Sequence, residues 1–426
     1  MHSELSLPPE FLMGTATAGL QIEGGPARNQ WYRWADEGHI KDGSHPVRAD
    51  DHWNRMREDV GLLRELGCRT HRMGIEWSRI EPEEGVFDTA AIEHYREELE
   101  LLREAEIVPL VTLHHFTNPL WLEDDGGWLD ERIHDRFARY VRRVVEAYGD
   151  LVSDWVTINE PNVYLIQGYV YGDWPPGHTS VGEYLRGAPQ MMRAHLVAYR
   201  TIHELAERYG REARVGVAHH LRLFDPAGSV LTPLLSAALE RLVQGIFLEG
   251  MTTGRLRFPL SGRLPEASGL ARCSDFLGVN YYTRDLVHAA LKPLQLFTRL
   301  EVPAGAPRND LGWEIYPLGL SRLIRTVWNR YHLPIWITEN GTCDAEDRFR
   351  AAYIADHLTR VAELIRGGLP GARSSHWTLM DNFEWVEGES ARFGLYEVDY
   401  ETQERRLRAS GELYREICRT HSIPTA

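Results

Sequence analysis

One pattern constrains this chain more than any other. Eight times, a short apolar run gives way to a stretch whose apolar residues return every three or four positions. The runs are FLMGTATAG (11–19), THRMGIEW (70–77), VPLVTLHHF (108–116), VSDWVTIN (152–159), RVGVAHH (214–220), DFLGVNYY (275–282), PIWITEN (334–340) and SSHWTLMD (374–381). Helical periodicity follows, clearest at 50–67, 130–149 and 347–368, each stretch opening near an Asp and closing on Gly. Strands buried on both faces read as near-continuous apolar runs. Eight of them alternating with helices predict the α/β class, as a closed parallel (β/α)8 TIM barrel. A minimal barrel takes about 250 residues, and this chain has 426. The surplus falls at 20–50, 161–190, 223–270 and 283–315, rich in Gly, Pro and aromatics. Loops that follow strands build the C-terminal face of a barrel, so these lengths predict a deep, walled pocket. No boundary separates a second domain, and residues 1–426 read as one.

The ends of the predicted strands are unexpectedly polar. Arg72 lies on strand two, His114 and His115 end strand three, and Asn159 and Glu160 end strand four. Asn280, Tyr281 and Tyr282 end strand six, Glu339 and Asn340 strand seven, and strand eight runs through Trp377 to Asp381 and Asn382. Each alone has a plain explanation, since Asn-Glu-Pro in TINEP (157–161) can simply stop a strand. Polar groups entering a core unpaired cost free energy, and a barrel gathers all of these ends at one rim. Metal ligation is the weaker reading. His114 and His115 are adjacent, so on a strand they point to opposite faces and cannot share an ion. No P-loop or GxGxxG follows a strand, which leaves a phosphate cradle without support.

Glu160 and Glu339 suit another chemistry. Strands four and seven are three apart in an eight-stranded ring, so the two carboxyls face each other across its mouth. A pair roughly 5–5.5 Å apart performs retaining glycoside hydrolysis, one carboxyl giving a proton to the leaving oxygen and the other attacking the anomeric carbon. The two pKa values must then be pushed apart by different surroundings. Arg72 and a Tyr hydroxyl are candidates to hold the ionised member.

Composition narrows the partners. With 47 Lys and Arg against 62 Asp and Glu, the net charge of −15 argues against nucleic acid or an anionic membrane. Four scattered cysteines without a CxxC pair indicate neither a disulfide framework nor zinc. There is no leader-like N-terminus and no run of roughly 18 apolar residues, so a cytoplasmic location is expected. Thirteen Trp exceed what a core usually needs. About half are expected to be structural, and the others offer flat faces for a ring-shaped ligand.

These residues carry a resemblance. The segments FLMGTATAGLQIEGG, HRMGIEWSRIEPEEG, VTLHHFTNPLWL, TINEPN, DFLGVNYYT, GWEIYP, ITENG and LMDNFEWVEGESARFGLYEVDY run nearly end to end. Together they are similar to glycoside hydrolase family 1, the β-glucosidase and β-galactosidase group. The resemblance implies Glu160 as general acid/base and Glu339 as nucleophile. It implies Gln21, His115, Asn159, Glu384 and Trp385 around the hydroxyls of the non-reducing sugar, and Trp377 as its stacking floor. Tyr282 and Arg72 would flank Glu339, Asn280 would support the same shell, and Phe393 would form an aromatic wall. No cofactor is implied. Family members acting on 6-phosphorylated sugars usually carry a Ser and a Lys/Tyr clamp where this chain has Glu384, so a neutral glycoside is favoured. Phe116 stands where many relatives have Trp, Ser374–His376 where large apolar residues are common, and TCDAED (342–347) is short. The expectation is a retaining, exo-acting β-glycosidase, first a β-glucosidase with tolerance for galactosides or fucosides. The alternatives are a transglycosidase using an acceptor alcohol and a non-catalytic sugar-binding barrel. Aglycone, preferred sugar and oligomeric state are not indicated.

Overall fold

The computed structural model describes residues 5–292 and 296–424. Eight parallel strands close into a barrel: β1 Leu12–Ala16, β2 Thr70–Gly74, β3 Val108–Thr112, β4 Asp154–Asn159, β5 Arg214–His220, β6 Phe276–Tyr281, β7 Ile335–Asn340 and β8 Gly371–Trp377. They pair in chain order, and β8 pairs with β1 to complete the ring. The first seven lie within the predicted apolar runs, and β8 begins three residues before its run of 374–381 and ends inside it. In β2, β4, β6 and β7 every residue is buried, which is why those runs are not diluted by an exposed, polar face.

The principal helices are α1 His52–Leu66, α2 Thr89–Glu104, α3 Ile133–Tyr148, α4 Val181–Arg208, α5 Ile246–Thr253, α6 Pro317–Tyr331, α7 Arg350–Arg366 and α8 Ala409–Thr420. The α3 pattern shows why they form. Ile133, Phe137, Tyr140, Val141, Val144, Val145 and Tyr148 are buried, a single apolar stripe at helical spacing. The stop after α1 is equally local: Gly67 takes a φ of 76° and its N–H bonds back to the carbonyls of Leu63 and Arg64.

Side chains close the barrel at its N-terminal end. Leu110, Val156, Ala218, Phe276 and Trp336 pack inside it, with the Phe276 and Trp336 rings stacked 3.6 Å apart. Asp154 pairs there with Arg373 and, at 2.7 Å, with Arg214. The Arg373 guanidinium lies 4.0 Å over Trp336. The other end stays open for a site. Two of the long connections meet beside it, since Leu223–Pro226 after β5 pairs with Arg284–Ala289 after β6, which pairs in turn with Thr298–Glu301.

Candidate active site

β4 ends at Asn159, and Glu160 turns into the left-handed region with a φ of 42°. Pro161 then opens a short helix to Ile166, a position where its missing N–H costs nothing. On β7, the register sets Glu339 beside Asn280 of β6. Both glutamates line one cavity of about 390 Å³, together with His115, Asn159, Tyr282, Trp377, Glu384, Trp385 and Phe393.

A single hydrogen-bonded network joins the two carboxyls. Arg72, fully buried on β2, donates to Glu339 Oε1 through one terminal nitrogen and to Asn159 Oδ1 at 2.7 Å through the other. Its Nε donates to Thr112 at 2.9 Å. The Tyr282 hydroxyl donates to Glu339 Oε2 at 2.5 Å. Asn280 bridges the pair, donating to Asn159 Oδ1 at 3.0 Å and Glu160 Oε1 at 2.8 Å, while its own oxygen accepts from Thr338 at 2.6 Å. Glu160 Oε1 also accepts from His220 Nδ1 at 3.2 Å. The arrangement is asymmetric: a guanidinium holds Glu339, whereas an amide and an imidazole hold Glu160.

Burial dominates the electrostatics. It pushes the Glu339 carboxyl up to about 7; Arg72 pulls it down, Glu160 pushes it up, and the Tyr282 bond pulls it down. Arg72 and Tyr282 both favour the ionised form, and desolvation outweighs them. Glu384 is pushed up to about 8 by burial and by Glu339, against bonds from Trp377 and Gln21. Burial and the positive field of Arg72 hold the His115 imidazole well below its usual range. It is neutral, accepting from the Asn159 amide at 3.0 Å, which leaves the proton on Nδ1, buried without a protein partner.

Aromatic rings form the wall. His115 is stacked against both Trp377 and Trp385, each at 5.8 Å. Trp313 packs with Tyr282 and Phe393. Trp174, Trp313, Trp377 and Trp385 line the cavity, while Trp31, Trp77, Trp128 and Trp155 are core residues. Gln21 is fully buried and donates to Glu384 and Asn382, both at 3.1 Å. His114 points away, bonded to Asn118 at 3.0 Å and packed on Trp128.

A barrel whose strand ends place two carboxyls on an aromatic cavity agrees with three comparisons. The glycosyl hydrolase family 1 model matches residues 3–423. The chain belongs to glycosyl hydrolase family 1. It is 31% identical to beta-glucosidase A of Thermotoga maritima across 98% of each chain. It is 29% identical to beta-galactosidase of Saccharolobus solfataricus, again across 98% of each. Among solved structures, the beta-glycosidase of Pyrococcus horikoshii superposes with a TM-score of 0.90 at 36% identity, covering 99% of this chain and 97% of that one. This family 1 chain is a glycoside hydrolase.

Several residues of the family 1 site escape sequence reasoning. His220 ends β5 and touches Glu160, yet nothing in RVGVAHH distinguishes it from the buried His219 before it. Trp174 reaches the cavity from the connection after β4, where it packs on Phe116 and Trp385. Phe116 takes a φ of 65°, and its carbonyl accepts from Gln30 and the Trp31 indole at 2.9 and 3.0 Å. Ser374, Ser375 and His376 are buried in β8, and none of them lines the cavity. Among the described residues, no helix is long and apolar enough to cross a membrane.

Proposed function

We propose that this family 1 hydrolase is a retaining, exo-acting β-glycosidase. It removes terminal non-reducing β-D-glycosyl residues, glucosides first, and tolerates galactosides and fucosides. The observation that carries the reading is the asymmetry of the pair. The Arg72 guanidinium and the Tyr282 hydroxyl hold Glu339, whereas Asn280 and His220 hold Glu160, which supports Glu339 as the attacking carboxylate and Glu160 as the acid.

Ionised Glu339 attacks the anomeric carbon while Glu160 gives its proton to the departing oxygen, leaving a covalent glycosyl-enzyme. Glu160, now a base, takes a proton from water, whose oxygen displaces Glu339 with a second inversion. Tyr282 releases its bond to Glu339 as that charge is spent, and Asn280 steadies Glu160. Trp377 offers a stacking face to the sugar, Phe393 a wall, and Gln21, His115, Asn159, Glu384 and Trp385 polar contacts, Gln21 also donating to Glu384. A neutral sugar is supported by the cations present: Arg72 is committed to Glu339 and Asn159, and Arg222 to Asp285 at 2.7 Å. Among the described residues of this lining, the Arg222 guanidinium is already taken by Asp285 and His220 by Glu160, which leaves a phosphate poorly matched. Residues 1–426 then act as one catalytic domain.

The test is Glu339→Gly on nitrophenyl β-glucoside. Turnover should fall by about 10⁴-fold or more, and azide should restore it with an α-glycosyl azide as product. Near-normal hydrolysis without azide would remove Glu339 from the nucleophile's role.

A further inference from the structure

Two buried carboxyls that the reaction does not use, Glu23 and Glu76, meet at the segment that carries Gln21. Gly19–Ile22 forms a single helical turn shortly after β1. Gln21 sits on this turn. Its amide donates to Asn382 and Glu384, and its carbonyl accepts from the Phe383 N–H at 3.0 Å. The turn is therefore the mount for Gln21 and for the segment that presents Glu384.

Glu76, two residues beyond β2, holds this turn through its Oε1, which accepts from the Leu20 N–H at 3.1 Å. Glu23 ends the turn. A side chain at Gly19 would lie 2.6 Å from Glu23 Oε1 and 2.7 Å from Glu76 Cγ, so the two glutamates leave no room for one. Their partners differ. Glu23 accepts from Arg79 Nε at 2.6 Å and from the Tyr95 hydroxyl at 2.7 Å. Glu76 Oε2 is buried with no hydrogen-bond partner. A bare charge there is penalised, and the protonated form is favoured. Burial pushes the Glu76 carboxyl up to about 8, Glu23 adds to the push, and Thr117, Arg79 and the Leu20 N–H pull against it. Tyr95 and Glu98 of α2, His52 of α1, Tyr140 of α3 and Tyr32 also face the pair.

We propose that Glu76 is a positioning residue for sugar recognition: as a neutral carboxyl it fixes the Gly19–Ile22 turn, and through that turn it aims Gln21 and Glu384 at the sugar hydroxyls. This rests on the sugar contacts of the β-glycosidase reading above. Ionised, Glu76 sets a second buried charge against Glu23 across Gly19, and the turn between them loosens.

The experiment is kcat and KM for nitrophenyl β-glucoside and its 2-, 3-, 4- and 6-deoxy analogues between pH 5 and 9.5. Wild type is compared with Gln21→Ala, Glu76→Ala, Glu76→Gln and the Gln21→Ala/Glu76→Ala double variant. Gln21→Ala identifies the hydroxyls that the turn reads, because the penalty for deleting them falls by about threefold to tenfold, the scale of one hydrogen bond. Glu76→Ala should lose discrimination at the same hydroxyls, chiefly through KM, and add little in the double variant, since both act through one turn. Glu76→Gln keeps the acceptor for Leu20 without the charge and should restore the discrimination. Wild-type KM should rise as pH passes about 8. That rise should shrink in Glu76→Gln, the remainder belonging to Glu384, which titrates in the same range. Deoxy penalties that are unchanged in Glu76→Ala, or fully additive with Gln21→Ala, overturn the positioning role. A basic rise of full size in Glu76→Gln overturns the role of the proton. The penalties are ratios within one variant, so partial misfolding does not move them. If Glu76→Ala does not fold, the pH comparison in Glu76→Gln decides. Wild type without turnover of any β-glucoside would instead fell the β-glycosidase reading.

Discussion

The two ends of the barrel both bury arginine against carboxylate, and they are built in opposite proportion. At the N-terminal end one carboxyl, Asp154, sits between Arg373 and Arg214. At the mouth three carboxyls, Glu160, Glu339 and Glu384, line one cavity, and the buried Arg72 guanidinium pairs with Glu339. Two guanidiniums on one buried carboxyl make a plug. Carboxyls buried close together resist ionisation, and Glu339 and Glu384 are pushed up to about 7 and about 8. The same residue types give a structural pair in one place and a proton-handling site in the other, according to their ratio.

Three substitutions press on that contrast. The largest effect is expected from Arg72→Met, with kcat/KM falling by about 10²–10³-fold, the scale of a lost charge-stabilising donor. Arg72 lowers the Glu339 pKa, so its loss raises that pKa further above about 7. The acid limb of the pH–rate profile should therefore move to higher pH. An unmoved limb would show that Arg72 does not set the ionisation of Glu339.

Arg373→Met tests the other end. It leaves Asp154 with only Arg214, whose side chain is 54% exposed, and should destabilise the fold by about 3 kcal/mol. The thermal midpoint should drop while kcat for the folded enzyme stays within about twofold. If kcat collapsed with stability unchanged, the plug would have a catalytic role and the contrast would fail.

Glu384→Gln should have the smallest effect on stability, and its sign depends on pH. A carboxyl whose folded pKa is raised from its ordinary 4.5 to about 8 contributes stability that is fully present below about 4.5. That stability is lost as pH rises through about 8. Glutamine has no such loss, so the thermal midpoint of the variant relative to wild type should be higher at pH 8.5 than at pH 5. A difference independent of pH would mean that Glu384 ionises as freely in the fold as in solution.

Much of this was legible in the residues. Seven of the strands lie within the apolar runs and β8 overlaps the eighth only at 374–377, while α1, α3 and α7 lie within the stretches of helical periodicity at 50–67, 130–149 and 347–368. The reason is that barrel strands are buried on both faces and their helices on one, so each leaves its own period. Glu160 and Glu339 stood out because a carboxyl at the end of an apolar run is costly. His220 did not stand out, since its contact with Glu160 spans sixty residues of chain. Asp154 and Arg373 sat inside quoted or adjoining runs without showing that they pair, because their partnership crosses the barrel.

The sequence by itself determined the period of burial, hence the barrel, and the residue types waiting at the strand ends. The tertiary structure alone decided how those residues share charge and protons. Period is local and survives in one dimension. The ionisation of Glu339 depends on the burial, the guanidinium and the second carboxyl that closure of the ring brings to it, and none of these lies beside it in the chain.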